Sequence, residues 1–338
     1  MSKSKPYIVA EMSGNHNGSL DRALQLVDAA ADAGADAIKI QTYTADTLTV
    51  DVKHPRFQLS AGHELWGGEY LYDLYTRAHT PWDWHAPIFE RARERGIEAF
   101  SSPFDPTAVE LLEKLDAPRY KIASSEVTDL PLIRLAASTK KPIIISTGMA
   151  TLKEIVAAVE AAQGAGATDI TVLSCTASYP TPPEHTNLLR IPVLAEALKV
   201  PIGLSDHTLG IGVPIAAVAL GAVLIEKHVT LSRADGGVDS AFSLEPAELA
   251  ALVAESERAW QALGTTSIGP TEAEKEGLRF RRSLYVVTDV KAGEPVTAGN
   301  VRSIRPTGGL EPDMMSTVLG RVFRTDAAKG TPLSWDLI

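Results

Sequence analysis

Eight short β-branched or apolar runs, each followed by room for a helix, constrain this chain more than any other feature. They are YIVAE (7 to 11), AIKIQT (37 to 42), IEAFSS (97 to 102), YKIASS (120 to 125), PIIIST (142 to 147), DITVLS (169 to 174), PIGLSD (201 to 206) and AVLIEK (222 to 227). Between the first two, Leu20, Ala23, Leu24, Val27, Ala30 and Ala31 recur at helical spacing, with Ser19 placed to cap the start and Gly34 to end it. Similar patterns fill 107 to 115, 151 to 163, 186 to 199, 212 to 220 and 246 to 263. Eight such repeats over roughly 260 residues predict an α/β fold of the (β/α)8 TIM barrel type. A doubly wound open sheet is the rival, but SGNHNG after the first run lacks the G-x-G-x-x-G spacing of its usual turn.

Two departures from a plain barrel stand out. The segment 44 to 96 is too long for an ordinary connection, and it carries Trp66, Tyr70, Tyr72, Tyr75, Trp82 and Trp84. It reads as a binding loop or as an extra helix packed on the barrel. After Leu263 comes a polar stretch with a Gly-Pro break, then short strand-like runs separated by AGEP, TAGN, PTGG and AAKG turns. The predicted division is a barrel over residues 1–265, a linker over 266–280 and a small C-terminal β-rich module over 281–338.

Charge and composition then narrow the partners. Forty-two acidic against 32 basic residues leave a net charge of -10, which repels a polyanion, so nucleic acid is not expected. The lone cysteine, Cys175, has no intrachain disulfide partner. The first residues hold too short an apolar stretch for a signal peptide. No run approaches the ~18 apolar residues of a membrane span, and the stretch 213 to 225 is broken by Pro214 and Gly221. A cytoplasmic protein without membrane contact is the expectation.

In a β/α barrel the carboxyl ends of the strands face the active site. Here they offer Glu11, Asn15 and His16; Lys39 and Gln41; Ser101 and Ser102; Lys121, Ser124 and Glu126; Ser146 and Thr147; Ser174 and Tyr179; Ser205, Asp206 and His207; Glu226, Lys227 and His228. A whole rim of charge and hydroxyl is expensive to maintain without a polar ligand. His207 and His228 follow adjacent strands and are candidate ligands of one divalent metal, Mn, Mg or Co, with water or substrate completing the shell. Lys39, Lys121, Ser124, Ser146 and Ser205 form a donor-rich set suited to a phosphate or carboxylate, with the backbone of Thr147 and Gly148 as further donors. Salt bridges with Glu11 or Glu226 are the alternative for the lysines. Glu126 and Asp239 are candidate acid/base groups. Cys175 reads as a small buried residue, since no base is evidently paired with it.

These residues carry a resemblance. AEMSGNHNG, IKIQTYT, SSPFD, YKIASSE, STGMAT, CTASYPTP, GLSDHT, EKHVTL and SLEP, in that order, resemble the sialic acid synthase family, which condenses phosphoenolpyruvate with an amino sugar. The terminal stretch FRRSLYVVTDVKAGEPVTAGNVRSIRP resembles the antifreeze-like (SAF) domain of the same enzymes. Ser240 and Ala177 stand where the N-acetylneuraminate branch usually has histidine and asparagine. With QTYTADTLT and GVDSAFSLEP, these point toward the branch that takes 2,4-diacetamido-2,4,6-trideoxy-L-altrose, with N-acetylneuraminate and legionaminate synthesis as alternatives. The resemblance implies that His207 and His228 bind the metal and that Lys39, Lys121, Ser124, Ser146 and Ser205 hold phosphoenolpyruvate. Glu11, Gln41, Tyr179 and Asp239 would line the sugar side. Arg305 matches an arginine that reaches the sugar from the partner subunit, which implies a domain-swapped homodimer. From the residues alone, a metal-dependent aldolase and a non-catalytic carbohydrate-binding protein also remain open.

Overall fold

The computed structural model describes residues 5–60, 62 and 65–338. The chain divides into two compact units, one ending at Gly264 and the other running from Thr265 to Ile338. In the first, β1 (Tyr7–Glu11), β2 (Ala37–Thr42), β3 (Glu98–Pro103), β4 (Tyr120–Ile122), β5 (Ile143–Ser146), β6 (Ile170–Cys175), β7 (Ile202–Asp206) and β8 (Leu224–His228) pair in parallel in chain order and close into a barrel. The predicted TIM barrel is therefore borne out. The main shift is at β4, where YKIASS is strand only to Ile122 before a 3-10 turn, Ser124–Glu126.

Helices cover the outside: α1 (Leu20–Asp32), the four-residue α2 (Ala45–Leu48), α3 (Leu71–Ala78), α4 (His85–Arg95), α5 (Pro106–Lys114), α6 (Leu130–Ser138), α7 (Leu152–Gly164), α8 (Arg190–Leu198), α9 (Gly212–Ala219) and α10 (Pro246–Ala262). Their starts follow local chemistry. The Ser19 hydroxyl accepts from Arg22 N at 3.3 Å, Asp105 and Asp129 cap α5 and α6, and Thr151 with Glu154 forms a capping box on α7. Two of the helices that follow barrel strands were not read from the sequence, α4 and α6. The first is charged over much of its surface and buries only His85, Ile88, Phe89 and Ala92, so its periodicity is hidden among the aromatics of 44 to 96. That segment is accordingly no single loop: it contributes α2 and α3 and then an ordinary barrel helix. Ala61, His63 and Glu64 of it lie outside the described residues.

The pleat decides what the barrel holds. Alternate residues face opposite sides of a strand. Ile8, Ala10, Ile38, Ile40, Ile145, Leu204 and Ile225 pack outward against the helices, whereas Val9, Ala37, Phe100, Ile144, Leu173 and Leu224 form a separate interior cluster. Space there is tight. A Cβ on Gly203 would stand 2.5 Å from the Leu224 carbonyl oxygen and 2.6 Å from Leu173 Cδ2, so only glycine fits.

In the second unit, β9 (Ser283–Val286) and β10 (Val301–Ile304) pair antiparallel around a core of Leu284, Val286, Val296, Val301, Phe323 and Leu333. A last short helix, α11 (Met315–Val318), follows. Residues 272–280, within the stretch read as a link, form a 3-10 helix opened by a Thr271–Glu274 capping box.

Candidate active site

Two residues beyond each interior apolar position, the same strands present polar groups at their carboxyl ends. Val9 is succeeded by Glu11, Ala37 by Lys39, Leu173 by Cys175, and Leu224 by Glu226 and His228 on one face. Strand register brings them together: Glu11 lies beside Lys39 and His228, and Ser205 beside Glu226. Lys39 Nζ is 2.5 Å from Glu11 Oε2 and 3.7 Å from Glu226 Oε2. Lys121 Nζ donates to Glu226 Oε1 at 3.1 Å, and the Ser205 hydroxyl donates to the same oxygen at 2.8 Å.

Burial sets the charge of this floor. It disfavours the ionised form of Glu226, but Lys121 and Lys39 outweigh it and hold that carboxyl below the ordinary range. Glu11 goes the other way: burial raises its pKa, because its one close cation, Lys39, is shared with Glu226. Two lysines thus face one carboxyl held below the ordinary range and one raised above it.

The floor closes a cavity of about 330 Å³. Of the site residues expected from the sequence, Glu11, Lys39, Gln41, Lys121, Ser124, Glu126, Tyr179, Ser205, His207, His228 and Asp239 all line it. Ser146 does not; its hydroxyl is fully buried without a hydrogen-bond partner, on the strand face of Ile144. Arg305 lies in the second unit, just after β10, and is exposed. The donor role read for the backbone of Thr147 and Gly148 is corrected. Thr147 N donates to Leu173 O at 3.1 Å and Gly148 N to the Ser124 hydroxyl at 3.0 Å, so both are spent inside the protein.

Asn15, which donates to Val229 O and the Ser243 hydroxyl, and His16, which packs on Trp84, lie outside the lining, and four more rim residues belong elsewhere. Ser101, Ser174, Asp206 and Lys227 fall on the outward parity of their strands. Ser101 joins Thr42 at 2.6 Å, which bonds His85 at 2.8 Å, and Lys227 Nζ meets Asp206 Oδ2 at 2.5 Å with both side chains fully buried. The period-two rule was the signal that separates them from the site.

Around the floor stand the groups that can move protons. Glu126 is held in the turn after β4, its Oε2 buried without a hydrogen-bond partner, and burial raises its pKa to about 7 against the opposing pull of Lys121. Asp239 accepts from the Ser13 hydroxyl, which also receives Gln41 Nε2 at 3.3 Å. Burial raises the Asp239 pKa too. Ser13 was not singled out from the sequence; it opens the 3-10 turn Ser13–His16 after β1, where strand parity no longer applies.

His207 and His228 meet edge to face with ring centroids 5.3 Å apart. His207 Nδ1 contacts the Thr176 carbonyl oxygen at 3.0 Å, and the ring also faces the Cys175 thiol. His228 Nδ1 is buried with no hydrogen-bond partner, and burial, His207 and Lys39 keep the ring neutral, the form that binds metal. The two rings would offer neighbouring nitrogen donors to a divalent ion with an open shell, although, against the effect of burial, Cys175 beside His207 raises that ring's pKa and so favours its protonated form. Among the described residues no three His, Cys, Asp or Glu side chains gather into a closed cage. Cys175 is buried as expected, but a base does stand beside it: it shares a side-chain hydrogen bond with His207 and lies 3.5 Å from the Ser124 hydroxyl.

A closed parallel barrel with buried lysines, carboxylates and a histidine pair at the carboxyl ends of its strands defines the class of β/α-barrel enzymes. The comparisons place it further: the chain belongs to the NeuB family, whose model matches residues 26–267, and residues 281–338 match the SAF domain. It is 44% identical over 329 residues to pseudaminic acid synthase of Campylobacter jejuni, covering 97% of this chain and 95% of that one. An N,N'-diacetyllegionaminic acid synthase of Legionella pneumophila is 35% identical, covering 98% and 94%. Among solved structures, N-acetylneuraminic acid synthetase of Leptospira borgpetersenii, in complex with citrate, superposes with a TM-score of 0.73 at 34% identity over 81% of this chain and 90% of that one. The sequence resemblance is borne out, and with it the expectation of a family enzyme rather than a binding module.

Proposed function

We propose that this protein condenses phosphoenolpyruvate with 2,4-diacetamido-2,4,6-trideoxy-L-altrose and water, giving pseudaminic acid and phosphate. The observation that carries the reading is the floor, where Lys39 and Lys121 stand against Glu11 and Glu226 at the base of the cavity, with Lys39 Nζ also 3.4 Å from the Ser102 hydroxyl. An arriving phosphate or carboxylate competes with these partners for the two ammonium groups. Ser124 and Ser205 supply neutral donors to the same ligand. The acceptor is chosen by the greater identity with the pseudaminic acid synthase, 44% against 35% for the legionaminic acid synthase.

In this reading C3 of phosphoenolpyruvate forms a bond to the aldehyde carbon of the open sugar, which leaves C2 electron-poor. Water adds at C2 while Glu126, half ionised near neutral pH, accepts its proton. The bond from C2 to the phosphate oxygen then breaks and phosphate leaves. Asp239, fixed by Ser13, orients the sugar or passes a proton to its oxygen. His207 and His228 would hold a divalent ion, Mn, Mg or Co, which when bound supplies Lewis-acid polarisation of the acceptor's carbonyl. The domain-swapped homodimer, with Arg305 reaching the sugar from a second copy, belongs to the proposal. A cytoplasmic location is part of it too, in keeping with a single, buried, free cysteine.

The test is phosphate release from phosphoenolpyruvate with Mn present or chelated, offering the altrose sugar, N-acetylmannosamine and the legionaminic precursor in parallel. Metal-dependent release with the altrose sugar alone is the expected result. Release with N-acetylmannosamine instead reassigns the acceptor, and silence with all three overturns the reading.

A further inference from the structure

Among the described residues, Lys227 and Asp206 form the one fully buried ion pair that takes no part in the cavity. They are register neighbours at the carboxyl ends of β8 and β7, and each immediately precedes a cavity histidine, Lys227 before His228 and Asp206 before His207. Their contacts close a loop around His207. Asp206 Oδ2 meets Lys227 Nζ at 2.5 Å and accepts from the Thr208 hydroxyl at 2.9 Å, while Asp206 Oδ1 accepts from Thr208 N at 3.2 Å. Lys227 Nζ also donates to the Thr208 carbonyl oxygen. The residues on both sides of His207 are thus bound to each other and to the residue that precedes His228. Two further bonds hold the backbone of the histidines themselves: Thr181 N donates to His207 O at 2.9 Å, and Leu244 N to His228 O at 2.8 Å.

A buried ion pair is often no more stabilising than apolar side chains of similar size, because both charges must leave water. Stability alone therefore gives this pair little reason to be ionic. Direction is what apolar neighbours would not supply. Hydrogen bonds to particular atoms of one turn fix the chain at 206–208 against the chain at 227, and those two places carry the rings, whose centroids are 5.3 Å apart. Two side chains that share one ion work only when their supports keep them in place. We propose that Asp206 and Lys227 are positioning residues, which hold the His207 and His228 rings together for a divalent ion and so set the affinity for it. The inference rests on the metal reading of the histidine pair and deepens it. Groups that support metal ligands are typically worth about 10- to 100-fold in metal affinity, and that is the size of effect expected.

The experiment titrates metal-free protein with Co(II), read by calorimetry and by visible absorption, in wild type, the Asp206→Leu/Lys227→Met double variant and Thr208→Val. The double variant removes both charges together, so neither is stranded in the interior, and Thr208→Val removes a single hydrogen bond of the loop. The Co(II) dissociation constant is expected to rise about 10- to 100-fold in the double variant. In Thr208→Val it should rise at least about 2-fold. The Co(II) absorption spectrum should change with it, while KM for phosphoenolpyruvate at saturating metal stays at the wild-type value. A KM that worsens as much as the metal affinity overturns the inference, because a general loosening of the barrel does that and positioning of two rings does not. If the double variant does not fold, Thr208→Val decides by the same two readings. Absence of Co(II) binding by wild type overturns the metal reading and this inference with it, whereas wild-type binding that the folded variants match overturns this inference alone.

Discussion

The two ends of the barrel interior are made by the same strands, two residues apart, and hold opposite chemistry. Toward the amino ends, Val9, Ala37, Phe100, Ile144, Leu173 and Leu224 fill the space so closely that position 203 tolerates only glycine. Toward the carboxyl ends, Glu11, Lys39, Lys121 and Glu226 stand equally buried but are ionisable. The difference teaches how the charges are afforded: burying four ionisable groups stabilises little or nothing by itself, so the apolar layer must hold the strands in register for them. Variants at the lower end should therefore act on stability, and variants at the upper end on turnover.

The largest effect expected is at the upper end. Glu126→Gln should lower kcat by about 10²- to 10⁴-fold, read from phosphate release, with phosphoenolpyruvate affinity retained. Substantial turnover in this variant would remove Glu126 as the base. The same variant sharpens the comparison through pH. The Glu126 pKa is raised from 4.5 to about 7 in the folded protein, so between those values the fold holds a proton that the unfolded chain releases. Its contribution to stability is full below about 4.5 and is lost as pH rises through about 7, while the wild-type rate rises over the same interval. Thermal denaturation at several pH values should show a flatter dependence for the glutamine variant.

Next comes Gly203→Val at the lower end. The new side chain would strike the Leu224 backbone and Leu173, so a loss of about 3 kcal/mol or failure to fold is expected in denaturant titration. A variant that folds with wild-type stability would break the comparison. The smallest effect belongs to Ile144→Val, one methylene from the same layer. About 1 kcal/mol of stability should go, with kcat unchanged. A large change in kcat there would show that the two ends are not separable.

Much of the site was legible because strand ends in a parallel barrel converge whatever the details of packing. Glu11, Lys39, Lys121, Ser205, His207 and His228 needed only their position at the close of an apolar run. Others needed the pleat counted: Asp206 and Lys227 sit beside the two histidines in sequence yet pair with each other outside the barrel. Cys175 illustrates a different obstacle, since the base beside it arrives from the following strand and no local pattern announces it. Helix α4 escaped because a helix that buries one narrow stripe beneath arginines and glutamates has little contrast to read.

What the amino-acid sequence determined by itself was the repeat of strand and helix, the polar character of the strand ends and the motifs that mark the family, because each is set by neighbours along the chain. Tertiary structure alone decided which lysine meets which glutamate and which carboxyl is pushed toward neutrality. Those depend on register between strands and on burial, and both exist only once distant segments have packed.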